Sequence, residues 1–240
     1  MATASETSCR GRSTTTRATA ATLDNEIGHE IRTGWKDMVD SGLALDGGAA
    51  VGNFDHLLAI PTGEAAMTID ASGVIGPIND VLKSGEYPGV SIAGAPLPSL
   101  TGKGGVPVGD ASLWITAKGK SPVERAAAWE LVKYLAAPDQ IAAFAIASGY
   151  VPIRESAAES SEVQEFWAQN PTYRVAYDQL LAPGGKAANG SVIGAYQCVR
   201  DSVRDALIGM LTQGKSVDDA LAQAQQDATA AIQDYNSRVG

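Results

Sequence analysis

Few residues in this chain are equipped to do chemistry, and their spacing decides what each can do. His29 and His56 are its two histidines, Cys9 and Cys198 its two cysteines. Each histidine sits in a helical pattern among charged or apolar neighbours with no partner at metal-ligand spacing, so structural or solvated rings and no metal site are expected. One cysteine falls in an expected tail, which argues against a disulfide framework or a thiolate metal site. The run Gly209-Met210-Leu211-Thr212-Gln213-Gly214-Lys215-Ser216 satisfies the phosphate-loop formula G-x-x-x-x-G-K-S, but that loop should follow a buried strand. Here Val199, Val203, Leu207 and Met210 form a helical stripe instead. Gly214 reads as a helix terminator, and Ser216 with Asp219 as the capping box of the next helix. No G-x-S-x-G elbow or G-x-G-x-x-G fingerprint occurs, so an enzyme is not expected. A small hydrolase would need Asp70 or Asp110 to face another carboxylate across a pocket.

The positive signal is a set of small polar residues. Asp70-Ala71-Ser72-Gly73 follows the uncharged run Ala65–Ile69 and precedes Val74, Ile75, Ile78, Val81 and Leu82 at helical spacing. In α/β sheets, ligands bind beyond the carboxyl ends of strands, where free N–H groups at helix N-termini reach solute oxygens. Asp70 or Ser72 can hydrogen-bond solute hydroxyls, and Gly73 permits close backbone approach. Ser72 serving only as a helix cap accounts for the same residue, and both readings stand.

The elements that must position these residues alternate. Ala65–Ile69 reads as a strand buried on both faces, Val90–Ala93 as a second and Ala111–Thr116 as a third, on their apolar and β-branched content. Ile27, Ile31, Trp35, Met38 and Val39 recur at helical spacing before Ser41-Gly42. Gly47-Gly48 makes a loop, and Asn53 stands as the cap of a short helix through Leu57, Leu58 and Ile60. Ser121-Pro122-Val123-Glu124 is a strong helix start, with Val123, Ala127, Leu131, Val132 and Leu135 as its apolar stripe. Pro138 then separates it from an alanine-rich helix that runs to Ser148-Gly149. Beyond Pro152, helices are expected over Ser161–Trp167, Pro171–Leu181, about Ile193–Leu211 and Ser216–Tyr235, with a loop from Pro183 to Gly190.

Several of these segments, in order and spacing, carry a resemblance. VGDASLWIT followed by SPVERAAAWELVKYLAAPDQIAAFAIASGYVPI, the upstream GEAAMTIDASG and the downstream GKSVDDALAQAQQDATAAIQDY resemble bacterial extracellular solute-binding proteins of ATP-binding-cassette (ABC) importers, and most of all the sugar and glycerol-phosphate branch. The likeness runs from about Leu23 to the C-terminus. It implies an α/β, periplasmic-binding-protein-like (type II) two-lobed fold, N-terminally truncated, with a helix-rich C-terminal half. Residues 1–22 would be a disordered tail, 23–106 and 154–240 the C-terminal lobe, and 107–153 a segment of the N-terminal lobe. It further implies a ligand site between lobes. Gly109-Asp110 would lie at the crossing, with Asp110 where the family has a second glycine, and Tyr150 would face the cleft. At the place of a phosphate-binding arginine stands Val192, which disfavours phosphate, as does the charge of Asp110. Tyr196 and Gln197 would lie nearby, with a helical-core role as the other reading of Tyr196.

Composition sets bounds on this. A net charge of −9 over 240 residues opposes nucleic-acid binding, which needs clustered lysine and arginine. No apolar run approaches the roughly 20 residues of a membrane span. No secretory signal pattern precedes the matched part, so the periplasmic or extracellular location rests on the resemblance. The expectation is a monomeric substrate-binding component that captures a small polar solute, a sugar, polyol or glycerol-phosphate derivative, and presents it to a membrane permease without cofactor or metal. The alternative is a lobe that serves only as a structural or interaction module.

Overall fold

Helices dominate the structure, and most of their boundaries trace to named residues. The computed structural model describes residues 17–46, 55–98, 106, 108–109, 111–182 and 192–239. The Gly47-Gly48 loop, the Asn53 cap, Cys9, Asp110 and the Pro183–Gly190 loop lie outside the described residues. Two compact units divide the chain, Met1–Gly52 with Gly190–Gly240, and Asn53–Asn189.

The first unit is built from α1 (Glu26–Asp40), α9 (Tyr196–Thr212) and α10 (Val217–Val239). Asn25 caps α1 by accepting from the Gly28 N–H at 2.8 Å. Ser216 Oγ accepts from the Asp219 N–H at 3.0 Å at the start of α10, and Gly214 adopts φ 70°. The phosphate-loop formula is therefore a helix stop followed by a helix start. Ala220, Ala224 and Ala228 bury a four-residue-spaced stripe on α10 beside Leu221 and Ile232, and Met210 of α9 is fully buried. Small residues on one helix let a neighbouring helix approach closely, while each large apolar side chain withdrawn from water contributes about 1.5–3 kcal/mol. Residues 17–22, assigned by composition to a disordered tail, are instead tied to this unit. Ala18 N–H donates to Val192 O at 3.1 Å, Asn236 Nδ2 to Ala18 O at 2.8 Å, and Ala21 N–H to Thr229 Oγ1 at 3.1 Å. Low apolar content says that a segment has no core of its own, not that its backbone groups lack partners.

The second unit holds α2 (Asp55–Leu58), α3 (Ile75–Lys83), α4 (Pro122–Leu135), α5 (Pro138–Ser148), α6 (Glu155–Ala158), α7 (Ser161–Gln169) and α8 (Val175–Leu181), with 3-10 turns at Ser72–Val74 and Pro171–Arg174. Its core joins Ile141 and Ala142 of α5, Ala157 and Ala158 of α6, Val163 and Trp167 of α7, and Tyr173. Phe166 meets Tyr173 edge-on at 4.9 Å between ring centroids. The Tyr173 hydroxyl accepts from Asn79 Nδ2 at 3.2 Å, which ties the 3-10 turn to α3.

The three runs expected to be strands carry no strand; among the described residues the one β pairing is a parallel bridge between Arg17 and Val192. Ala65–Ile69 is not buried on both faces, since Met67 is 86% and Ile69 72% exposed, and Leu113 and Trp114 are exposed in the third run. A strand is held by the ladder and cross-strand packing of its neighbours, and no such neighbour occurs among the described residues. The 90–98 stretch is satisfied differently, by side chains: Leu97 N–H donates to Gln179 Oε1 and Gln179 Nε2 to Leu97 O, both at 2.9 Å. The sheet of the expected α/β class is thus not present among the described residues. The packing units also divide the chain at other places than the expected lobes, because α5 packs on α3, α6 and α7, which lie on both sides of it in sequence.

Candidate functional site

Asp70, Ser72, Gly73 and Tyr150 belong to one neighbourhood in the second unit, and the end of α5 brings them together. Gly149 ends α5 with φ 88°, a left-handed conformation that glycine adopts without steric cost. A side chain there would meet Ser72 O at 2.7 Å and Ile75 Cβ at 3.0 Å, so the chain end lies directly on the Ser72–Val74 turn. Gly76, buried in the first turn of α3, makes the reciprocal approach to the carbonyls of Ala147 and Ser148. The residue after Gly149 is therefore delivered onto the turn. The Tyr150 ring occupies the space a Cβ on Gly73 would take, its N–H donates to Ser148 Oγ at 3.2 Å, and its ring lies 5.4 Å from that of Phe144. Gly73 thus leaves room for the Tyr150 ring, in the place where the sequence reading expected a solute to approach.

Ser72 does not cap. The 3-10 turn and α3 both begin without a side-chain cap hydrogen bond, so the capping account of this residue is set aside. Asp70 is anchored at both oxygens: Oδ1 accepts from the Ala71 N–H at 2.6 Å, and Oδ2 lies 2.6 Å from His56 Nε2. Sequence reasoning missed His56 because its partner is 14 residues away across a segment read as a strand; no local spacing rule links them. His29, the other ring read as structural or solvated, lies 2.7 Å from Asp24 Oδ1 and 3.3 Å from Asp218 Oδ1 and links the starts of α1 and α10. Together, Asp70, Ser72 and Tyr150 offer a carboxylate, an aliphatic hydroxyl and a phenol beside two partly exposed aromatic rings. Such groups can hydrogen-bond hydroxyl or N–H donors and cover an apolar face.

The other expected site residues are placed differently. Gly109 is exposed and has open space on its Cβ side, and Asp110 lies outside the described residues. Tyr196 is the first residue of α9, in the first unit, 58% exposed, with the Arg200 guanidinium 5.8 Å from its ring centroid. It is not a core residue of that helix. The first unit also contains an open groove of about 280 Å³ along α1, α9 and α10, lined by Ile27, Ile31, Arg32, Val203 and Leu221 among others. None of the six expected site residues that are described lines it. Burial lowers the Arg32 pKa there by desolvation.

Comparison with known proteins bears on what this neighbourhood is for. The family model described as "Bacterial extracellular solute-binding protein" matches residues 8–174. Among curated relatives, the sn-glycerol-3-phosphate-binding periplasmic protein UgpB of Pectobacterium atrosepticum is 28% identical over 179 residues, which are 72% of this chain and 38% of that protein. Among solved structures, UgpB from Mycobacterium tuberculosis in complex with glycerophosphocholine superposes with a TM-score of 0.70 at 22% identity, over 91% of this chain and 51% of that one. The cyclic alpha-maltosyl-1,6-maltose binding protein from Arthrobacter globiformis superposes with a TM-score of 0.59 at 19% identity, over 90% of this chain and 51% of that one. The chain thus spans about half the length of the solved proteins it resembles and less of the curated relative. By their names these relatives are binding proteins. Among the described residues, no helix is long and apolar enough to cross a membrane.

Proposed function

Since the chain belongs to the family of bacterial extracellular solute-binding proteins, we propose that it is part of the substrate-binding component of an ABC importer, acting in the periplasm or at the outer face of the cell membrane. It captures a small hydroxyl-rich solute, a sugar, polyol or glycerol derivative, and presents it to a membrane permease. No covalent step is needed. Binding is reversible, and ligand contact with surfaces from two lobes would favour a closed form. The observation that carries the reading is the Asp70–Gly73 turn held under Tyr150 by the end of α5. The supporting names among the relatives concern glycerol phosphate, glycerophosphocholine and a cyclic maltosyl-maltose. Val192 in place of an arginine, with Asp70 on the turn, inclines this chain toward neutral solutes, because a carboxylate repels a phosphate. Gly109, Asp110 and Tyr196 stay in the proposal only as residues that the resemblance implies.

Isothermal titration with maltose, sorbitol, sn-glycerol 3-phosphate and glycerophosphocholine tests it. A hydroxyl bonded to a charged acceptor is worth about 1.5–3 kcal/mol, so Asp70→Asn should weaken the best neutral solute by roughly ten- to hundredfold. Absence of binding by the unaltered protein across the panel would overturn the proposal. A second reading, an interaction module, is favoured by α4, where Val123, Leu131, Tyr134 and Leu135 are all exposed. It would be preferred if the protein bound no solute and self-associated or paired with another chain in sedimentation.

A further inference from the structure

We propose that His56 is a positioning residue of the solute site, holding the Asp70 carboxylate in the one orientation that receives solute hydroxyls. The inference rests on the reading of the Asp70–Gly73 turn as that site. An ionised carboxylate only accepts hydrogen bonds, so the nitrogen facing Asp70 Oδ2 at 2.6 Å carries the proton and the ring donates. The other oxygen takes the Ala71 N–H, also at 2.6 Å. Two of the roughly four lone-pair positions of the carboxylate are thereby filled, and each oxygen keeps one for a solute.

Both anchors are themselves fixed. His56 sits on α2, which is held down by buried Leu57, with buried Ala59 and Pro61 just beyond it. Ala71 leads into the 3-10 turn that lies against Gly149. Met67 and Ile69, on the stretch that carries Asp70, are largely exposed. Without the ring, a carboxylate on such a stretch would sample several rotamers, and a solute would have to order it on binding. Holding it beforehand removes that cost from the binding step. The filled positions also select the partner: what remains at Asp70 accepts donors, so a solute hydroxyl is recognised and its deoxy counterpart is not.

Titration calorimetry on the unaltered protein, His56→Ala and His56→Gln, with sorbitol, maltose and glycerophosphocholine and the monodeoxy analogues of each, tests the inference. Thermal melts serve as the folding control. His56→Ala should weaken the best-bound solute by about tenfold, and His56→Gln, which keeps a side-chain N–H donor, should recover most of that loss. The analogue lacking the hydroxyl that meets Asp70 should bind the unaltered protein about tenfold more weakly and lose nothing further in His56→Ala, since coupled losses do not add. In the solute-free protein, Asp70→Asn should shift the His56 ring nitrogen resonances. Unchanged affinity in His56→Ala, equal loss for parent and every deoxy analogue, or unmoved ring resonances would each overturn the positioning role while leaving the solute site standing. Failure of the unaltered protein to bind any probe would overturn both.

Discussion

Gly76→Ala tests the packing that assembles the site, because two effects oppose each other there and the structure says which prevails. In a helix interior, alanine is more favourable than glycine by up to about 1 kcal/mol. Gly34, in the middle of α1, has nothing within 4 Å of its Cβ position, so Gly34→Ala should show that gain. A Cβ on Gly76 would stand 2.9 Å from Ser148 O and 3.0 Å from Ser148 Cα, and closer still to Ala147 O. These are backbone atoms, so no rotamer relieves the collision, and overpacking of this kind costs about 1–3 kcal/mol. The two variants should therefore differ by about that amount. With a urea m-value near 2 kcal/mol/M, their midpoints move apart by roughly 0.5–1.5 M. Trp167 is 3% exposed while Trp35, Trp114 and Trp129 are exposed, so the blue edge of tryptophan emission follows the unit containing Gly76. Far-UV dichroism follows the Gly34 variant. If Gly76→Ala raises the midpoint as Gly34→Ala does, α3 is not seated on the end of α5, and the placement of Tyr150 over Gly73 falls with it.

Three further outcomes are expected. Trp167→Ala removes the largest side chain of the second unit's core and should cost about 3–5 kcal/mol, read from the thermal midpoint. Met210→Ala should cost about 2–5 kcal/mol in the first unit without moving the blue tryptophan signal. At the start of α4, the Ser121 N–H, then the Ser121 hydroxyl and Lys120, hold the Glu124 carboxyl below its usual range. A depressed folded-state pKa means that the cap contributes fully above the ordinary carboxylate range and is lost as the pH falls through the lowered value. Ser121→Ala should cost about 1 kcal/mol at neutral pH, and Glu124→Gln should flatten the acid dependence of helicity measured by dichroism.

What the sequence made legible was local. The Ser121–Glu124 capping box forms as read, with Glu124 Oε2 accepting from the Ser121 N–H at 2.8 Å and Ser121 Oγ from the Glu124 N–H at 3.2 Å. Pro138 opens α5, Gly149 closes it, and Ser216 caps α10, because caps depend on residues three or four apart. The family was legible for a related reason: the order and spacing of such segments survive at an identity of 28%. The strands were not, since apolar and β-branched residues mark a run as able to pair but do not supply the strand it pairs with. Of the candidate site, Asp70, Ser72 and Gly73 were singled out by residue type and place and Tyr150 through the resemblance, whereas the contact of His56 with Asp70, 14 residues apart, required the fold.

The same distinction explains α4. Its signals are the best in the chain, and Val123, Ala127, Leu131 and Leu135 recur at four-residue spacing, yet none of its residues is buried. Ala128 and Val132, which face a little further round the helix, are the half-buried pair, and α5 is a neighbour that α4 contacts. The helix forms without a buried face because its start is fixed by Pro122 and the capping box, and because alanine, leucine, glutamate, lysine and arginine fill it. Periodicity thus identifies which face of a helix is suited to burial, while the identity of the covering surface is a property of the tertiary structure. An apolar stripe and a buried stripe are separate claims, and in α4 the first holds while the second does not.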